Sequence, residues 1–280
     1  MTTRSLTNAA VAASAPDPSL DRSRRVWGSG GYERISAGFR HEAEVFVSRL
    51  ALDHSHCVLD AACGTGNLSL PAARLDAQVR GIDVVPLLLE TAHERAHREH
   101  LRIHFDEGTV EAMPYADQTF DVVMSMFGVC FAARPERVAD ELARVTKPGG
   151  RLALANWTSR GFTGRMLEMH YAAVPPPAGQ SSPLIWGDEE AVRTLLGSNR
   201  WEFTTTLRQL RFRYPHTPRG TAELFRGAYG PTVVAMASLD EDRRATLHAE
   251  LTEHWVRHDR RAGHHTEVEA EYLEIIATRR

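Results

Sequence analysis

The sequence predicts an α/β fold, a mostly parallel sheet with helices on both faces and a helical cap, and three observations carry that prediction. Between His54 and Ala155, short apolar runs alternate with helical segments, the pattern of a parallel sheet with right-handed crossovers. The first of those runs empties into a two-glycine turn, Gly64-Thr65-Gly66. A long stretch, Pro215–Thr266, separates the last two strand-like runs. A hairpin needs only a few residues there, so the excess predicts helices over one end of the sheet, where such folds keep their ligand.

Taken in order, Met1–Arg25 is rich in Ala, Ser, Thr and Pro with few large apolar side chains, which predicts a mobile tail. Arg4, Arg22, Arg24 and Arg25 give it the basic character of a transit peptide. Asp17 and Asp21 break the acid-poor pattern, and the apolar core of a secretory signal is missing. Residues 26–52 read as N-terminal lid helices. His56–Asp60, Gln78–Asp83, Leu101–Phe105, Phe120–Met126 and Arg151–Asn156 read as strands, rich in Val, Ile, Leu and Phe and bounded by Gly, Asp or Pro. Helices are expected at Asn67–Leu75, Pro86–Arg98 and Pro135–Val145, with Pro86 and Pro135 near the first turn, where a missing N–H costs little. Beyond Trp157, a helix over Gly164–Ala173 is stopped by Pro175-Pro176-Pro177. A second, Asp188–Leu196, starts with acids and ends at Gly197. Glu202–Tyr214 and Val268–Thr278 bring the strands to seven, and the spacing of Leu247, Leu251 and Trp255 predicts a cap helix between them. Residues 53–157 thus form a cofactor-binding core, and 158–280 the cap helices with the last two strands.

Composition narrows the function. Hydrophobic residues make up 42% of the 280 and charged residues 25%, with a net charge of -3, which excludes disorder and gives no general reason to bind nucleic acid or acidic membranes. Three cysteines, Cys57, Cys63 and Cys130, match no zinc framework. No apolar run reaches the roughly 18 residues of a membrane span. A soluble protein of the reducing cytoplasm is expected, monomeric or homodimeric.

The chemistry sits in Val58-Leu59-Asp60-Ala61-Ala62-Cys63-Gly64-Thr65-Gly66-Asn67. Gly64 and Gly66 permit positive φ and a close ligand approach. Asp60, at the strand's carboxyl end, can accept from an ammonium group. Asp83, ending the next strand, is placed to take both ribose hydroxyls. A dinucleotide fingerprint would need a third glycine where Ser69 stands, and Asp60 would repel a pyrophosphate. A cationic amino-acid moiety tolerates that acid, so S-adenosylmethionine is favoured over NAD.

With these residues in hand, the chain resembles class I S-adenosylmethionine-dependent methyltransferases, in particular the small-molecule branch of the ubiquinone/menaquinone C-methyltransferases, over roughly Trp27 to Trp157. Val58–Asn67 is similar to the family's first motif, Glu107-Gly108-Thr109-Val110-Glu111 to its adenine loop, Phe120-Asp121-Val122-Val123 to its fourth-strand motif, and Arg144–Gly150 to its helix-to-fifth-strand turn. Two positions depart from the pattern: Ala62 stands where glycine is usual, and Thr109 where an acid usually holds the adenine amine. The resemblance implies a seven-stranded Rossmann-like core with S-adenosylmethionine as cofactor and S-adenosylhomocysteine as product. Asp60, Ala62, Gly64 and Gly66 would cradle the methionine end. Asp83 would hold the ribose, with Val84 against the adenine. Thr109, Val110 and Glu111 would line the base, and Ser125 and Met126 flank the sulfonium. Trp27, Gly31 and Tyr32 would belong to a lid or, on the alternative reading, staple the N-terminal segment to the core.

The acceptor side is less legible. Tyr32, Phe127, Trp157, Phe162, Met166, Trp186, Phe225 and Tyr229 supply an aromatic and thioether lining if the cap closes over the cofactor, suiting a flat aromatic, heteroaromatic or polyketide-like metabolite. Secondary metabolism is the expected setting. His170, Tyr171, His216 and Tyr229 are the candidate bases, each equally a packing or surface residue. His93-Glu94-Arg95-Ala96-His97 matches the H-E-x-x-H zinc motif, but Leu88, Leu89, Ala92 and Ala96 form that helix's buried stripe and leave Glu94 pointing away. His254, His258, His264 and His265 form a looser cluster that reads as cap surface. No metal is assigned. The runners-up are a quinone-type C-methyltransferase and a non-catalytic cofactor-binding partner.

Overall fold

A computed structural model describes residues 17–177, 180–261 and 263–280. The chain opens on three helices, α1 (Pro18–Trp27), α2 (Tyr32–Ser36) and α3 (Arg40–Ser48). It then enters the alternation β1 (Cys57–Ala61), α4 (Ser69–Ala73), β2 (Gln78–Asp83), α5 (Pro86–Arg98), β3 (Ile103–Glu107), β4 (Phe120–Met126), α6 (Pro135–Val145), β5 (Thr146–Trp157). The C-terminal part runs α7 (Phe162–Ala173), α8 (Glu189–Leu196), β6 (Trp201–Tyr214), α9 (Pro218–Ala228), α10 (Gly230–Ser238), α11 (Glu241–His258), β7 (Thr266–Arg279). Seven strands form one sheet in the order β3-β2-β1-β4-β5-β7-β6. β7 pairs antiparallel with both β5 and β6, and the other pairings are parallel.

Each central strand buries both faces. Along β1, Val58 enters the core shared with α3 and the cap, while Leu59 and Ala61 enter the opposite core under α6 and α8. This two-residue alternation within a fully apolar run is what a sheet covered on both sides requires. The crossover helix α5 buries Leu88, Leu89, Ala92 and Ala96, the expected stripe.

The structure revises the expectation for the N-terminus. Residues 1–16 lie outside the described residues, but Pro18–Arg25, expected to be mobile, is helical. Asp17 caps α1 by accepting from the Ser19 backbone N–H at 3.0 Å and from its hydroxyl at 2.6 Å. Pro18 occupies the first turn, Asp21 sits at the positive end, and Arg24 and Arg25 at the negative end. Composition pointed to disorder; the end-caps and dipole charges supply the helix instead. Arg24 then latches α1 to the sheet, donating to the Val84 carbonyl at 3.1 Å and to Glu107 at 2.6 Å.

Candidate cofactor and acceptor site

β1 lies where the strand order reverses, with β2 on one side and β4 on the other, so a crevice opens beyond its carboxyl end. The turn leaving β1 runs through left-handed backbone at Ala62 (φ 56°), Gly64 (φ 52°) and Gly66 (φ 81°). Ala62 adopts that conformation without glycine's freedom, at a cost of about 1–2 kcal/mol. The Asp83 carboxylate fastens the turn to β2, accepting from the Gly64 N–H at 2.8 Å and from the Val85 N–H at 3.0 Å. Asp60 accepts from the Ser69 hydroxyl at 2.6 Å.

Both acids line a cavity that also takes in Ala62, Gly64, Val84, Thr109, Val110, Glu111 and Met126. Asp60 is 2% exposed and Asp83 7%. Burial pushes Asp60 up to about 7 and Asp83 up to about 6, against the hydrogen bonds they accept. No cationic side chain among the described residues pairs with either one. Two neighbouring buried carboxylates whose charge is uncompensated fit a ligand that brings its own positive charge and hydroxyl donors. S-adenosylmethionine carries an ammonium, a sulfonium and a ribose diol; a pyrophosphate cofactor would add repulsion. Asp60 would take the ammonium end and Asp83 the ribose.

At the adenine end, the Thr109 hydroxyl accepts from the Glu111 N–H at 3.2 Å. The Glu111 carboxylate is spent on the Arg134 backbone N–H, at 3.0 Å, and on the Arg134 guanidinium. Arg134 also pairs with Asp17, so Glu111 acts through Arg134 to hold the start of α1 over the cavity. Asp17, Ser19, Leu20 and Ser23 join the lining. Sequence reasoning missed these residues with the helix that carries them, although Asp17-Pro18 was a readable cap. Trp27 ends α1 edge-on to Phe131 (4.7 Å), Tyr32 (5.5 Å) and Tyr229 (5.9 Å). It lines the cavity and also anchors the N-terminal segment. Gly30, at φ 80°, lies against the backbone of Ala228, leaving no room for a side chain, and Gly31 donates to the Ala228 carbonyl at 3.2 Å.

Two expected cofactor contacts fall behind the wall. Ser125 donates to the Ala61 carbonyl at 2.6 Å and accepts from the Val129 N–H at 3.3 Å, tying β4 to β1. Gly66 is absent from the lining because its face is filled by Leu70, 2.7 Å from where a Cβ would sit. Arg95 reaches the same turn from α5, donating to the Thr65 carbonyl at 2.6 Å and to the Asn67 side chain at 2.8 Å.

A second, smaller and tightly packed cavity adjoins the first and shares Trp27, Tyr32, Phe39, Phe127 and Phe131 with it. Ile35, Trp157, Thr163, Met166, Phe212, Phe225 and Tyr229 complete its wall. Phe127 holds a left-handed backbone (φ 58°), strain that a bulky residue bears only where the surroundings enforce it. Its ring stacks on Trp157 at 3.5 Å. Phe162 stands behind this wall, stacked on His254 at 4.2 Å. Trp186, expected in the same lining, is 1% exposed in the core on the opposite face of the sheet. It lies in a short turn of 3-10 helix, Pro183–Gly187, whose direction no periodicity in the sequence reveals.

Of the candidate bases, only Tyr229 reaches the chamber, and burial holds its phenol well above the usual range. His170 is buried between Met166 O (2.7 Å) and the Thr232 hydroxyl (2.8 Å), with both ring nitrogens engaged. Burial lowers it to about 4. Tyr171 and His216 do not line the chamber; His216 lends its carbonyl to Thr266 at 2.8 Å. In the zinc-like motif, His93 packs edge-on against Phe105 at 5.0 Å and Glu94 pairs with Arg98. His254 turns its Nε2 to the Phe162 carbonyl at 2.9 Å, inside the cap rather than on its surface.

Two buried carboxylates beside an aromatic-walled cavity make this a candidate site for a cationic nucleoside cofactor. Residues 59–154 match the model of a methyltransferase domain family. An uncharacterised protein of Mycobacterium tuberculosis is 34% identical over 262 residues, 92% of this chain and 94% of that one. A demethylmenaquinone methyltransferase of Deinococcus radiodurans is 34% identical over 167 residues, 58% of this chain and 66% of that one. The crystal structure of a methyltransferase from Bacillus halodurans superposes with a TM-score of 0.59 at 17% identity, covering 85% of this chain and 98% of that one. The chain belongs to the class I S-adenosylmethionine-dependent methyltransferases. Among the described residues, no helix is long and apolar enough to cross a membrane.

Proposed function

We propose that the enzyme methylates a nucleophile of a small aromatic or heteroaromatic metabolite. The observation that carries this reading is the second chamber: its wall is aromatic and aliphatic, and it opens beside the seat of Asp60 and Asp83. The cofactor supplies an activated methyl group on a sulfonium. The protein's own part is to align the acceptor and exclude water, worth several kcal/mol when the reacting atoms are held about 3 Å apart. Trp27 and Tyr32 bridge the two cavities and bring the lid down on both. Asp60 and Asp83 fix the cofactor end, and Phe127 and Trp157 form a flat wall against which a planar acceptor lies. The free cysteines suit a reducing compartment such as the cytoplasm. The relationship to a demethylmenaquinone methyltransferase favours, as a second reading, carbon methylation of a quinol-type ring.

The test is a screen of phenols, quinols and N-heteroaromatics with S-adenosylmethionine, read as release of S-adenosylhomocysteine. Turnover confined to planar aromatics is expected. Cofactor binding without turnover on any acceptor would point to a non-catalytic partner, and turnover on aliphatic amines alone would overturn the reading.

A further inference from the structure

One residue in the wall of the second cavity carries a buried polar atom that the protein leaves unpaired. Thr163, in the first turn of α7, lines the chamber and is 2% exposed. Its Oγ1 is buried with no hydrogen-bond partner. Leaving a buried hydroxyl unpaired costs about 1–3 kcal/mol, and valine would fill the same volume without that cost. The rest of the wall offers the phenol hydroxyls of Tyr32 and Tyr229, both held protonated because burial opposes their ionisation, reinforced at Tyr32 by the Asp83 carboxylate. Among the described residues, no carboxylate or imidazole lines this chamber, and the imidazole nearest Tyr229, His170, is fully engaged elsewhere. Three neutral hydroxyls without a base can donate to an oxygen anion but cannot create one.

Building on the methyltransferase reading, we propose that the acceptor enters already ionised, as a phenolate or enolate, and that the Thr163 hydroxyl donates to its oxygen. The acceptor loses its proton in solution. In the transfer, a bond forms from the phenolate's oxygen or ring carbon to the methyl carbon as the S–C bond breaks, and the sulfur keeps the electron pair. With oxygen as acceptor atom no proton moves in the site; with carbon, the neutral dienone rearomatises as its ring proton passes to water and a proton returns to the oxygen, giving the neutral phenol. The anion and the sulfonium cancel, leaving two neutral products in an apolar chamber, so the charge that retains the acceptor vanishes with the reaction.

The experiment uses 4-nitrophenol, whose phenolate absorbs visible light, and the full-length protein saturated with sinefungin, an unreactive analogue with an ammonium where the sulfonium stands. The probe is expected to bind as phenolate, with its apparent pKa lowered by about one unit or more. Binding should be roughly 10-fold weaker in the S-adenosylhomocysteine complex, which lacks that charge. Thr163→Val should bind the phenolate roughly 10- to 100-fold more weakly while melting no lower than wild type, and Thr163→Ser should restore binding to within a few-fold. Binding of the protonated probe, wild-type affinity in Thr163→Val, or a matching loss of melting temperature would overturn the proposal. The neutral ether 4-nitroanisole separates the two failures. If it binds as well as the phenolate, the oxyanion inference falls; if neither binds, the aromatic-acceptor reading falls with it.

Discussion

On the cofactor side, the two buried unpaired carboxylates come from two short segments, Asp60–Asn67 and Asp83–Val85, and burial raises them to about 7 and 6. On the acceptor side, the wall is assembled from α1, α2, α7, β6, α9 and the ends of β4 and β5. The buried titratable groups of that cap include His170 and His254, each lowered to about 4, and the phenol of Tyr229, pushed up by burial. One half of the site waits for a cation; the other excludes charge from its own side chains. The cofactor is common to a whole family and is read by a local turn. The acceptor is read by a packing arrangement that the cap can redraw without touching the sheet.

The largest expected effect falls on the cofactor half. Asp83→Ala should weaken S-adenosylmethionine by about 100-fold or more, since a charged acceptor for two hydroxyls is lost and the Gly64 N–H is unpinned. Asp83→Asn, which keeps an acceptor oxygen but not the charge, should fall between. Calorimetry checks both, and equal affinity in all three proteins would break the assignment of Asp83.

Acid should divide the halves next. A histidine whose folded value lies below its unfolded one destabilises the fold only once pH falls below about 6.5, and fully below about 4. The shift at His170 and His254 corresponds to about 3 kcal/mol each. The carboxylates run the other way: Asp60 and Asp83, raised in the fold, strain it at neutral pH, and the strain fades as pH falls from about 7 toward 4. Hydrogen exchange, corrected for intrinsic rates, should therefore show α7 and α11 losing protection between pH 6.5 and 4.5 while β1 and β2 hold theirs. Uniform loss across the chain would erase the distinction.

The smallest effect is local. Ala62→Gly relieves a left-handed alanine but adds freedom to the unfolded chain, so stability should rise by less than about 1 kcal/mol. A drop beyond that in chemical denaturation would mean that the Ala62 methyl packs rather than strains.

How much of this was legible follows the same division. The glycine turn, Asp60, Asp83 and the stripe Leu88, Leu89, Ala92 and Ala96 could be read because each depends on neighbours within a few positions. Trp186 and Thr163 could not, because which face of the sheet a loop or cap helix covers depends on packing between remote segments. Ser125 misled because a hydroxyl at a strand end can serve a ligand or the adjoining backbone, and the sequence does not say which. The helix Pro18–Trp27 was missed for another reason: its Asp17 cap and terminal charges were present, yet composition outweighed them.

The seating of a cationic nucleoside on two buried, partly protonated carboxylates, its ammonium at Asp60 and its ribose at Asp83, is tested most directly by S-adenosylmethionine calorimetry from pH 5.5 to 7.5 in two buffers of different ionisation enthalpy. An ammonium at Asp60 and ribose hydroxyls donating to Asp83 lower both acids, so binding near pH 6.5 should release protons, and affinity should rise about 10-fold or more across the range. Affinity that is flat with pH, with equal heats in both buffers, would contradict the account.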